Sequence, residues 1–253
     1  MARLTYAGYR ILYPQAHEKD IRSLVRERFE TESREEYESR LIIAGRVPEI
    51  SCTIAPFSFL YSCLHRERGL VLLTPHYDSF SLGITFLGKA GVRINAMSMA
   101  IVDERVALPV RDHFHKKYRA MEKWMNGGKI LDLERGLRHF YKILERKECL
   151  VILADVPPAP GGAVSTPLFF GMRRLVAGGP QRLAERTGSD IGGFVCRHVS
   201  PGCYRIEGGP VLPAAEPNAL DVIYAFLEKA IRNAPGRWFA VDSLPKMSPA
   251  EGG

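Results

Sequence analysis

The sequence predicts an α/β fold: a single domain with a mixed, mostly parallel central sheet flanked by helices. Three observations carry that prediction. Leu70–Thr74 and Cys149–Ala154 are almost continuously apolar, as strands covered on both faces of a parallel sheet are. Amphipathic segments alternate with the strand-like ones, the grammar of βαβ units. Both apolar runs halt close to a residue able to move or hold a proton, His76 and Asp155, and open α/β sheets place ligands just beyond the carboxyl ends of their strands.

The elements follow in order. Residues 16–44 combine apolar positions such as Ile21, Leu24, Val25 and Phe29 with dense alternating charge, the pattern of an amphipathic helix or a pair of them. Gly45 and Pro48 close that region. From Ile50 to Leu64 charge is sparse, and Phe57, Phe59, Leu60 and Tyr61 crowd together after Pro56. A helix is expected there, lying in the core or touching an interface or acyl chain. Leu70–Thr74 is read as a strand, 79–90 as a helix and 92–97 as a strand. Residues 103–128 are read as helical, and Leu133–Lys147 sets Leu137, Phe140, Tyr141 and Leu144 on one helical face. After the strand Cys149–Ala154, the Pro157-Pro-Ala-Pro-Gly-Gly162 stretch is loop, because proline removes donors and glycine frees the backbone. Gly178-Gly179-Pro180 opens a helix that ends near Gly188. Ile191–Val199 and Cys203–Gly208 read as antiparallel strands about a Ser-Pro-Gly turn. Asn218 is expected to cap the last helix, whose apolar face is Leu220, Ile223, Tyr224, Leu227 and Ile231.

The chain has 253 residues and shows no internal repeat or shift of composition, so one domain over 1–253 is expected, with an N-terminal helical region (1–68) ahead of an α/β core (69–240). Hydrophobic residues make up 46% and charged ones 25%, which excludes disordered and collagen-like classes. The net charge of +7 favours anionic partners: phosphoryl headgroups at a membrane surface, an acidic carrier protein or nucleic acid. Nucleic acid is set aside, because the arginines lack interleaved stacking aromatics. Five cysteines (Cys52, Cys63, Cys149, Cys196 and Cys203) form no C-x-x-C pair, which points away from a disulfide framework or zinc ribbon and toward a reducing compartment. The opening residues carry no leader pattern, and no apolar stretch reaches the roughly 18 to 20 residues of a membrane span. A cytoplasmic protein is expected, peripheral on the inner face of the membrane where it touches one.

His76 and Asp155, delivered by two strand ends, make a candidate base and its orienting carboxylate. A neutral imidazole can take a hydroxyl proton near neutral pH, and a neighbouring carboxylate can hold its ring and stabilise the imidazolium. Asp78, two residues from His76, is the other candidate partner, or else a cap for the following helix. Such a pair activates an alcohol against an acyl carbonyl. Asp112-His113-Phe114-His115 has no third ligand at a metal-binding spacing, and the paired glycines match no phosphate loop or dinucleotide fingerprint. No metal site is expected.

These residues resemble the lysophospholipid acyltransferase superfamily, and most closely its bacterial lipid A lauroyl/myristoyl acyltransferase branch. His76-Tyr-Asp-Ser-Phe-Ser81-Leu-Gly after a strand is similar to that branch's histidine block. Asp155 followed by Thr166-Pro-Leu-Phe-Phe-Gly171 is similar to its aspartate and Pro-Phe-Phe-Gly block. Gly179–Gly188 and Leu227–Trp238 resemble the helices and the Pro-to-Trp segment that follow. The resemblance runs from about residue 69 to 240. It implies a glycerolipid acyltransferase-like fold, and transfer of a fatty acyl group from an acyl carrier protein or coenzyme A thioester to a hydroxyl or amine of a lipid or small molecule, with no further cofactor. It also places Ser81, Phe169, Phe170 and Gly171 at the substrate. Arg173 and Arg174 follow directly, suited to donor phosphates or an acidic carrier, and backbone donors around Gly161–Gly162 or Phe170–Gly171 are candidates for the oxyanion.

The chain departs from the branch at three places. Ser81 stands where the H-x4-D/E motif has its acid, so Asp78 or Asp155 has to compensate. Phe-Ala-Val-Asp-Ser follows Trp238 in place of a histidine- and arginine-rich stretch. The branch's initial membrane-spanning helix is not read here, which turns the expectation from lipid A toward another acceptor. Two alternatives stand beside acyl transfer: a silent relative that binds an acyl chain or carrier, favoured by Ser81, and an acyl-thioester hydrolase.

Overall fold

The chain is described here by a computed structural model covering residues 2–98 and 106–247. It opens with α1 (Ala2–Leu12), within the region expected to be helical though not singled out there, and α2 (Glu18–Ile43), one continuous helix of 26 residues. β1 (Ser51–Ala55) and α3 (Phe57–Leu64) follow. α3 is not a core helix: Phe59 and Cys63 are buried, but Phe57 and Tyr61 are 72% and 54% exposed. β2 (Leu70–Thr74), α4 (Phe80–Lys89), β3 (Ile94–Ser98), α5 (Leu108–Glu122) and β4 (Ile130–Asp132) come next. Of the expected helix over 103–128, residues 103–105 lie outside the described residues. α6 (Arg138–Glu145) is shorter than expected, because its first residues form a 3-10 turn over Leu133–Arg135. β5 (Cys149–Leu153) leads into four two-residue strands, β6 (Val164–Ser165), β7 (Leu168–Phe169), β8 (Met172–Arg173) and β9 (Val176–Ala177). α7 (Gly179–Thr187), β10 (Asp190–Ser200), β11 (Cys203–Pro213) and α8 (Ala219–Asn233) complete the main elements. Two 3-10 segments, Pro235–Arg237 and Phe239–Lys246, follow. Asn218 stands at the start of α8 but is left-handed and makes no side-chain cap bond; it serves there as a residue that tolerates positive φ.

The seven-stranded sheet runs β1-β11-β10-β2-β5-β3-β4. From β10 to β4 every pairing is parallel, whereas β11 runs antiparallel to β10 and β1 parallel to β11. The sheet is therefore mixed and mostly parallel, with helices on both faces. β1 belongs to the region expected to be helical, so the sheet's edge is built from residues ahead of position 69.

The apolar runs have the composition their position demands. Along β2, Val71 and Leu73 enter one core cluster while Leu70 and Leu72 enter the other, because alternate strand residues face opposite sides. β5 divides in the same way, Leu150 and Ile152 against Cys149 and Val151. No helix among the described residues is long and apolar enough to cross a membrane.

Candidate active site

β2 and β5 are neighbours in register, Thr74 opposite Leu153, and the Ala154 amide donates to the Thr74 carbonyl at 2.9 Å. Two residues beyond each of those partners stand His76 and Asp155, so parallel pairing alone brings them together. Asp155 Oδ1 lies 2.7 Å from His76 Nδ1. Asp155 Oδ2 accepts from the His76 backbone amide at 2.8 Å and from Trp238 Nε1 at 2.7 Å. With the carboxylate ionised, Nδ1 carries the ring proton and donates, leaving Nε2 as the nitrogen able to accept one. The imidazole is 33% exposed and the carboxylate 1%. Burial works against the charged ring, but the charge and hydrogen bond of Asp155, with Glu35 behind them, outweigh it and hold the His76 pKa above its ordinary value.

Asp78 goes elsewhere. Its Oδ1 accepts from Arg34 at 2.6 Å and its Oδ2 from Arg237 at 2.9 Å, with Ser79 Oγ at 3.2 Å. Of the two carboxylates weighed as partners of His76, Asp155 is the one that reaches the ring. Asp78 has φ +47°, a left-handed conformation that aspartate tolerates and that these contacts hold in place. The amide of Asp78 donates to Arg237 O at 2.8 Å and that of Phe239 to His76 O at 2.7 Å. Tyr77 and Trp238 thereby form an antiparallel bridge. The histidine loop and the segment after α8 are locked to each other.

A cavity of about 850 Å3 opens beside the imidazole. Its wall is mainly apolar, drawn from α4 (Ile84), β3 (Ala96, Met97), α5 (Met121), β5 (Val151) and α7 (Leu183). A hydrocarbon tail fits such a lining. Its charged side chains include Arg28, Glu32, Glu35 and Lys117, and Ser81 lines it too, donating to Glu35 Oε1 at 3.1 Å.

The residues expected at the substrate after Asp155 are placed differently. Phe169 and Phe170 are buried, with ring centres 6.0 and 5.3 Å from that of Trp238, and Phe169 meets Tyr224 edge-on. Gly171 is the left-handed turn between β7 and β8. None of the three lines the cavity, because Trp238 stands between them and Asp155; they back up the carboxylate. Arg174 is buried and donates to the carbonyls of Phe169 and Met247. Arg173 holds both oxygens of Asp221 at 2.6 and 2.7 Å. Both guanidinium groups are engaged within the fold, away from the cavity. The Gly162 amide donates to Ala159 O and that of Phe170 to Glu228, so neither is free for an oxyanion. His113 points to Glu36 and Asp112 to Lys116.

Sequence reasoning passed over Trp238, Glu35 and Lys117 as site residues. Trp238 had a signal, since it closes the Pro-Gly-Arg-Trp segment quoted above. Glu35 and Lys117 had none, each being one charge among many on an amphipathic helix.

Residues 51–244 match the family model described as bacterial lipid A biosynthesis acyltransferase. Among solved structures, the chain is similar to the 1-acyl-sn-glycerophosphate (LPA) acyltransferase PlsC from Thermotoga maritima. The identity is 10% and the TM-score 0.45, over 93% of this chain and 91% of that one. No curated protein matches the chain in sequence.

Proposed function

This chain belongs to the bacterial lipid A biosynthesis acyltransferase family, and from that premise we propose that it moves a fatty acyl group from an acyl carrier protein or coenzyme A thioester to a hydroxyl or amine, with His76 as general base. The observation that carries the reading is the 2.7 Å contact between His76 and Asp155 at the edge of an apolar cavity. In the proposed reaction Nε2 takes the acceptor's proton as its oxygen or nitrogen bonds to the acyl carbon. The carbon–sulfur bond then breaks, and the departing sulfur receives that proton from the imidazolium. The ring ends neutral, and the steps balance with the donor thioester alone. Asp155 favours the imidazolium at the moment it forms, and the apolar wall excludes water that would otherwise intercept the acyl group. The net charge of +7 supports an anionic donor, carrier or membrane surface.

His76→Ala tests the role. Loss of a positioned base costs roughly 10²- to 10⁴-fold in rate, so acyl transfer from the thioester falls by at least that lower bound in a variant that still unfolds cooperatively. Turnover matching the parent enzyme in a folded variant would remove His76 from the mechanism.

A further inference from the structure

The cavity that His76 faces is lined by two carboxylates that the proposed reaction does not use, Glu32 and Glu35. Glu35 reaches it from α2. Its Oε1 accepts from Ser81 Oγ at 3.1 Å and from Lys117 Nζ. Lys117 comes from α5 and is 3% exposed, a burial that an ammonium tolerates only when paired. Its Nζ lies 5.9 Å from the ring centres of both Phe80 and Phe114, and Phe80 meets the imidazole edge-on at 5.5 Å. Glu35, Ser81, Lys117, Phe80 and His76 therefore share one wall of the cavity.

We propose that Glu35 is a positioning residue of this site: fixed by Ser81 and Lys117, its carboxylate sets a second negative charge on the cavity side of His76 and favours the imidazolium that forms when an acceptor loses its proton. Only the catalytic consequence rests on the acyl-transfer reading; the electrostatic link between Glu35 and the ring stands without it. The other charges around the ring come from known places. Asp155 holds Nδ1 from the end of β5, Lys117 offsets part of Glu35, and Arg28 and Glu32 on α2 pair with each other, with Asp242 3.7 Å from Arg28. Glu35 adds to Asp155 in holding the ring's pKa up, as a nearby opposite charge does in a partly dry site.

Glu35→Gln removes the charge and keeps the shape. Following the histidine ring signals by NMR across pH, the His76 midpoint falls below that of wild type. The acidic limb of the pH profile for thioester turnover moves to lower pH with it, and the plateau drops about tenfold as the base weakens. The double variant Glu35→Gln/Ser81→Asp puts a carboxylate back beside the one removed and returns both the midpoint and most of the turnover, a rescue that a purely structural glutamate would not show. An unchanged His76 midpoint in folded Glu35→Gln overturns the proposal. Should that variant fail to fold, Lys117→Gln strips Glu35 of its counter-charge and raises the midpoint, and no change there overturns it equally. A midpoint that shifts in a protein that turns over no thioester would instead count against the acyl-transfer reading alone.

Discussion

Asp155 meets three donors with two oxygens, the ring and the backbone amide of His76 and the indole of Trp238. Asn in its place loses the charge and turns an NH2 group toward at least one of those donors. Asp155→Asn should therefore slow thioester turnover by roughly 10²- to 10⁴-fold and shift the acidic limb of its pH profile to lower pH. In the wild-type protein the rate should rise with pH through a midpoint above the ordinary histidine value of 6.5, because the raised pKa keeps the ring protonated longer. The same shift sets a stability dependence of definite sign. The folded state prefers the protonated ring, so the stabilisation is fully present below pH 6.5 and is lost as pH climbs through the raised folded value. His76 and Asp155 are legible in the sequence because each ends an apolar run. The choice between Asp78 and Asp155 is not, since proximity along the chain says nothing about which carboxylate a strand register delivers.

Elements were most legible where burial is two-sided. β2 appears where the sequence puts it, since a strand covered on both faces has no polar side to blur its ends. β1 is half exposed, and its Ser-Cys-Thr-Ile-Ala composition gives no run to find. For α3 the apolar content leaves open a core helix or one touching an interface or acyl chain, and the helix buries one stripe only; apolar content alone does not assign a face. Helix packing was equally invisible, and Gly83 shows why it matters. A Cβ there would stand 2.7 Å from Cys196 Cβ and 3.0 Å from the Phe194 ring, so α4 sits against β10 at a distance only glycine permits. Gly83→Ala should cost about 1–3 kcal/mol, read as a lower urea midpoint. It should also reduce turnover, because the helix it displaces carries Phe80 and Ser81 into the cavity.

Across the whole molecule, Asp78 joins three regions: Arg34 on α2, the loop after β2, and Arg237 beyond α8. Removing a buried partner leaves its counterions unpaired, at about 3–5 kcal/mol in a dry site. Here both arginines keep some solvent, so Asp78→Asn should lower unfolding stability by about 1–3 kcal/mol, measured by urea denaturation. Such long-range ties are what a single sequence conceals: Asp78 stands out beside His76, but nothing in the sequence says which arginines it meets. Asp78 and Arg237 are 159 residues apart, and the indole that braces Asp155 immediately follows Arg237. A ribosome thus releases His76 and Asp155 long before the indole that completes their setting, and a half-made chain holds the pair with one of its three hydrogen bonds missing.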